Sequence, residues 1–149
     1  MSTLKLDDFL PYRLSIASNA VSDAVATAYR TLFGLRIPEW RLVCVLAEDG
    51  AMSQQALCGR TRMDKVTVSR AAIALADRGL VARESNPGDQ RSHLLTLSAE
   101  GRTLYEQVAP KALDLERRVF QGFSAQERTQ LRSMLDRIEA AAGALEAGG

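Results

Sequence analysis

"SQQALCGRTRMDKVTVSRAAIALADRGL", Ser53 to Leu80, decides the fold of this chain. Ser53 stands before a short run of helix formers, where its hydroxyl suits an N-cap. "RTRM" at 60–63 reads as a tight turn. Asp64 is a second N-cap, and the helix it opens has a natural left-handed stop at Gly79. The stretch is therefore helix, tight turn, helix. On the second helix Val68, Ala71, Ala72 and Leu75 share one face and are predicted to pack on the first. That register turns Val66, Thr67 and Arg70 outward, with Lys65 at the N-terminal edge.

Beyond Leu80, "VARES" and "SHLLTL" are short strand patterns on either side of "NPGDQR", so they predict a hairpin. Pro87 fixes one backbone angle of its tip and Gly88 frees another. Asp89 and Arg91 follow two residues apart. An arginine held at a tight tip is suited to a narrow minor groove, where negative potential concentrates. A carboxylate there is repelled by phosphate, so Asp89 reads as a wing-supporting brace that pairs with a nearby arginine or with loop N–H groups. A helix-turn-helix followed by such a hairpin is a winged helix.

Working outward, a first helix is expected from near Asp7 or Asp8 to about Gly34, with one stripe made by Leu10, Leu14, Ala17, Val21, Val25 and Ala28. A second is expected from Pro38 to just before Asp49. After the hairpin, Ser98 caps a helix reaching about Gln121, with a kink expected at Pro110. Ser124 to Glu127 is a capping box for a last helix. Its apolar seam is Leu131, Met134, Leu135, Ile138, Ala142 and Leu145. The predicted fold class is mainly α with a small β-hairpin. A winged lobe of about 37–99 is set between dimerisation helices of about 1–36 and 100–146, all within one domain of 1–149. The small winged lobe cannot cover both terminal seams, so a homodimer is expected.

The 149 residues carry 19 basic and 18 acidic side chains. Between Ser53 and Leu97, however, seven basic residues face four acids, a local anion-binding pattern. Arg offers guanine a two-pronged contact, Thr a hydroxyl for a base edge or phosphate, and Val a methyl contact to thymine. The candidate DNA-contacting set is Lys65, Val66, Thr67, Ser69, Arg70 and Arg91. A solvated helix face and a surface Asp–Arg pair are the bland alternatives; the joint presence of helix, wing and local charge favours the first reading.

No apolar stretch is long enough for a membrane span and no signal peptide is visible, so the chain reads as cytoplasmic. Cys44 and Cys58 lack paired spacing, and His93 is the one histidine. Buried free thiols are expected rather than a redox or metal role, with no metal site and no cofactor. One histidine and no Gly-rich phosphate loop offer no catalytic set, so the protein is not expected to be an enzyme.

"MSQQAL", "TRMDKVTVSRAAIALADRGLVARESNPGDQRSHLLTLSAEGRTLYEQVAP" and the long flanking helices resemble the MarR family of winged-helix transcriptional regulators. "TVSR", "RGLV", the D-x-R of the wing and L-S-x-x-G carry most of the resemblance. It implies a homodimeric repressor on a pseudo-palindromic operator, released by a small anionic or aromatic ligand. It also implies recognition-helix contacts at Thr67 and Arg70, a wing arginine at Arg91, and Asp89 as its partner. Arg62 stands where many members carry the turn glycine, which implies a strained or differently shaped turn. Val66 replaces a common serine, and Ile73 and Ala74 are less polar than usual. The reactive cysteine of redox-sensing members has no counterpart before Cys44.

A ligand pocket is expected where the first two helices meet the winged lobe. Tyr12, Ser15, Asn19 and Ser22 form a polar stripe, with Arg13 adjacent and Trp40 opening the second helix. An aromatic wall with one cation suits an aromatic carboxylate or its thioester. Core-edge aromatics and interhelix hydrogen bonds are the competing account of the same residues. A winged-helix protein-interaction module without DNA binding is the alternative function; it lacks the salt sensitivity of a DNA reader.

Overall fold

In the computed structural model, which describes residues 2–89 and 91–148, both helix starts of the central motif are closed by the side chains expected. Ser53 Oγ accepts the N–H of Ala56 at 3.1 Å and Asp64 Oδ1 that of Thr67 at 2.7 Å. The helices follow in the order α1 (Leu10–Phe33), α2 (Ile37–Asp49), α3 (Gln54–Thr61), α4 (Lys65–Asp77), α5 (Ala99–Val119) and α6 (Ala125–Gly148). A short 3-10 turn, Leu6–Asp8, precedes α1, so the first α-helix starts slightly later than its acidic residues suggested. Pro11 lies in its first turn.

Three strands, β1 (Met52–Ser53), β2 (Val81–Ser85) and β3 (His93–Leu97), make one antiparallel sheet in the order β1-β3-β2. The hairpin pairs Val81 with Leu97 and Ser85 with His93. β1 pairs Met52 with Leu95 and Ser53 with Leu94. It escaped the sequence reading because two residues carry no alternation. Its effect is large: it ties the start of α3 to the wing.

The core lies under α4. Val68, Ala71, Ala72 and Leu75 are buried, as the helical register required, and α4 packs on α2, α3 and β2, whose Leu42, Leu46, Leu57 and Val81 are buried in turn. Burying such side chains is worth roughly 1.5–3 kcal/mol each. The connection between α3 and α4 passes through Arg62, at φ 57°, the one non-glycine with positive φ among the described residues. This left-handed geometry is what glycine supplies freely and other residues adopt under strain. The side-chain caps at Ser53 and Asp64 open the helices on either side of this turn.

Ser98 joins the wing to α5. Its hydroxyl donates to the Gly79 carbonyl at 2.6 Å and accepts the Gly101 N–H at 3.0 Å, while its own N–H reaches the Leu80 carbonyl at 3.0 Å. Gly101 is needed because a Cβ there would collide with the Leu80 carbonyl and crowd Leu97. That is the physical content of L-S-x-x-G.

The chain divides into two compact units, Met1–Ala112 and Leu113–Gly149, the boundary falling within α5. α5 is continuous through Pro110 and ends at Val119, a little before Gln121. In the second unit, Ser124 and Glu127 form the capping box, with bonds of 2.8 and 3.0 Å, and α6 follows. Met134, Leu135, Ile138 and Leu145 are exposed along it. In the first unit Leu10, Leu14, Ile16 and Val21 are exposed along α1.

Leu75 is 0% and Ile73 48% exposed, although they lie two residues apart. Leu75→Ala is expected to destabilise the fold by about 2–5 kcal/mol in urea titrations, and Ile73→Ala by less than about 0.5 kcal/mol. Equal losses would contradict the register of α4.

Candidate nucleic-acid interface

The outward face of α4 begins at its cap. The backbone N–H of Thr67, then its hydroxyl, hold the Asp64 carboxyl below its usual range, and the more distant Arg70 charge adds to this. One side chain of the recognition face thus serves the cap: Thr67 is half-buried against Asp64. Lys65, Val66 and Arg70 are exposed, and Ser69 is half-buried at the edge. Val66 is 58% exposed on this face.

The wing is a braced loop. Asn86 Nδ2 donates to Ser92 Oγ at 2.9 Å, Asn86 Oδ1 accepts the Gly88 N–H at 3.1 Å, and the Asp89 N–H reaches the Asn86 carbonyl at 3.1 Å. Asp89 Oδ1 accepts the backbone N–H of Arg91 at 2.9 Å. Of the two bracing modes open to Asp89, the structure takes the loop N–H. The carboxylate orients the backbone of Arg91 and leaves its exposed side chain at the tip.

α3 supplies what the sequence reading missed. A concavity of about 260 Å³ between the start of α3 and the wing is lined by Gln54, Gln55, Arg83, Asp89, Arg91 and His93 among others. Gln54 also lines the neighbouring groove with Lys65, Val66, Ser69 and Arg70. The α4 face and the wing are thus one surface, joined through Gln54. Nothing local in "SQQAL" announces this; it follows from β1 drawing α3 onto β3.

Basic residues of the central stretch have divided roles. Arg60 bonds Asp49 at 3.1 Å and Glu48 at 3.2 Å, tying α3 to α2. Arg78 donates to the Gly34 and Phe33 carbonyls at 3.2 and 3.3 Å, closing the end of α1. Lys65, Arg70, Arg83 and Arg91 surround the grooves.

Of the five residues expected at a ligand pocket, Tyr12, Arg13, Ser15 and Asn19 share the first part of α1, and Trp40 lies apart from them. Trp40 is 9% exposed, stacked on Tyr105 at 5.8 Å and tilted against Tyr29 at 5.6 Å. Tyr12 lies seventeen residues before Tyr29 on the same helix, roughly 26 Å away along its axis. Tyr12 and Ser22 are half-buried, Ser15 and Asn19 exposed, and Arg13 Nη1 donates to the Asp7 carbonyl at 3.0 Å. The indole is a core element because α1 and α5 each present a tyrosine to it, which a one-dimensional stripe does not reveal.

Cys44 sits half-buried beside this cluster, its thiol pushed up to about 12 by burial and then by Glu48. Burial, then Cys44, also raises Tyr29, opposed by a hydrogen bond with Trp40. Cys58 is half-buried on α3. Among the described residues no helix is long and apolar enough to cross a membrane, and no group of three His, Cys, Asp or Glu is placed to hold a metal.

A helix-turn-helix whose second helix presents Arg70 outward, beside a braced hairpin carrying Arg91, defines a winged helix-turn-helix of the kind that binds duplex DNA. The MarR family model matches residues 35–93. The homoprotocatechuate degradative operon repressor of Escherichia coli is 26% identical over 126 residues, 83% of this chain and 85% of that protein. A probable transcriptional regulator from Pseudomonas aeruginosa has a similar structure, with TM-score 0.81 and 30% identity over 90% of this chain and 99% of that one. So does Bordetella bronchiseptica BpsR, whose DNA binding is regulated by 6-hydroxynicotinic acid, with TM-score 0.83 and 26% identity over 93% and 98% of the two chains. This chain belongs to the MarR family and is a DNA-binding transcriptional regulator.

Because Asp64 is held low, its contribution to helix stability is complete above the ordinary carboxylate range and is lost as pH falls through its folded-state pKa. Asp64→Asn keeps an oxygen acceptor but removes the charge. Thermal melts from neutral into acid pH are expected to show wild type above the variant at neutral pH, the gap closing in acid. A pH-independent gap would show that the charge contributes nothing.

Proposed function

We propose that the protein is a homodimeric repressor of a pseudo-palindromic operator, released by a small aromatic acid or its thioester. Residues 37–99 carry DNA binding, and the helices of 1–36 and 100–146 carry dimerisation. In each half-site Lys65, Val66, Thr67, Ser69 and Arg70 enter the major groove, while Arg91 reaches the adjacent minor groove and Asp89 holds the wing. The observation that carries this reading is the continuous surface from Arg70 through Gln54 to Arg91, on which both arginines are exposed.

A second copy is supported by the uncovered apolar side chains of α1 and α6, among them Leu10, Leu14, Met134 and Ile138. Two-fold pairing of such faces sets two α4 helices at a fixed separation, and half-site centres about one helical turn apart, roughly 34 Å, suit them. Repression is supported by the name of the Escherichia coli relative, and an aromatic-acid effector by the regulation of BpsR. Tyr12, Arg13, Ser15 and Asn19 remain the candidate contacts on α1, completed by a partner copy rather than by Trp40 of the same chain. A ligand that favours another spacing of the two lobes lowers DNA affinity by linkage.

Duplexes enriched from a random pool by the wild-type protein provide the test. Arg70→Ala is expected to weaken binding by about 1–3 kcal/mol and to relax base preference. Arg91→Ala is expected to weaken binding and lower its salt dependence. Sedimentation should give a dimer. Wild-type affinities for Arg70→Ala and Arg91→Ala, or a monomer that binds the duplex fully, would contradict the reading.

A further inference from the structure

The flank of α4 away from the wing opens on a concavity of about 670 Å³, formed with the end of α1 and the start of α2. Arg30, Arg36, Arg70 and Arg78 line it against one carboxylate, Glu39. Two of these five charges have internal duties. Arg78 closes the carbonyl end of α1, and Glu39 Oε1 accepts the backbone N–H of Arg36 at 3.1 Å. Arg30 and Arg36 are exposed, and among the described residues their guanidinium groups make no hydrogen bond or ion pair. Arg70 belongs both to this concavity and to the groove running towards Gln54.

Like charges gathered around a hollow repel unless an anion fills it. The position of the hollow says which anion. A helix seated in a major groove about 12 Å wide has a phosphate ridge on either side. On one side of α4 stands the wing with Arg91; on the other stand Arg30 and Arg36, contributed by helices outside the helix-turn-helix. The sequence reading placed Arg36 at a boundary and did not use Arg30, because neither lies near the motif in the chain.

We propose that Arg30 and Arg36 form a phosphate clamp, gripping the DNA backbone across the major groove from the wing. Such contacts fix the position of α4 without reading bases. The clamp also joins the end of α1 to the DNA, so a movement of α1 changes the grip directly. This inference rests on the reading that α4 enters the major groove.

The full-length protein is titrated with a duplex enriched by the wild type and with an unrelated duplex of equal length, between about 50 and 200 mM salt. The double variant R30A/R36A is expected to weaken both complexes by the same factor. It should also lower the salt slope by about 0.9 for each phosphate that the variant no longer neutralises, the preference between duplexes being unchanged. R30K/R36K should restore most of the slope, and E39Q, which keeps the bond to Arg36, should tighten both complexes. An unchanged slope in R30A/R36A, with Arg70→Ala still impaired, overturns the clamp alone. A changed preference between duplexes also overturns it, by making these residues base readers. Wild-type binding without salt dependence removes the clamp and the α4 reading together.

Discussion

The burial of one face of α4 is the constraint on which the remaining structure depends. Val68, Ala71, Ala72 and Leu75 are all buried as α4 packs on α2, α3 and β2, and a thirteen-residue helix has one rotational setting that hides all four. Turning it by a residue would expose Val68 or Leu75, at roughly 1.5–3 kcal/mol each. The same setting fixes Val66 and Arg70 outward. The orientation of the DNA-facing side chains is thus a consequence of the core, and needs no interaction of its own.

Two small devices turn this oriented helix into a surface. The two-residue strand β1 draws the start of α3 onto β3, so that Gln54 bridges the helix groove and the wing groove. Ser98 and Gly101 lock the start of α5 against Gly79 and Leu80, the residues that follow α4. Each joins elements that would otherwise move independently. With the wing loop held by Asn86 and Asp89, Arg91 is displayed from a rigid frame, which lowers the entropic cost of binding.

Features set by neighbouring residues were legible in the sequence. The caps at Ser53, Asp64 and Ser98, the box at Ser124 and Glu127, and the stop at Gly79 require only a few residues to meet. The inward face of α4 was legible because helical periodicity is local too. The mode of bracing by Asp89 was half legible: the need for a partner followed from charge, but its choice of the Arg91 N–H depends on the loop geometry. Trp40 was not legible, because its environment is made by Tyr29 and Tyr105, far apart in the chain. Nor were Gln54, Arg83 and His93, which meet only after β1 pairs, or Arg30 and Arg36, which reach α4 through the packing of α1 and α2.

Amide hydrogen exchange, with and without the enriched duplex, tests the central claim most directly. Slowed exchange is expected in two places on adding DNA: the first turns of α4, residues 65–70, and the wing around residues 85–92. Leu95 of β3 and the middle of α2, already buried, should change little. Protection confined to α1 or α6, with the start of α4 exchanging as in the free protein, would show that the duplex meets another face and would contradict the account.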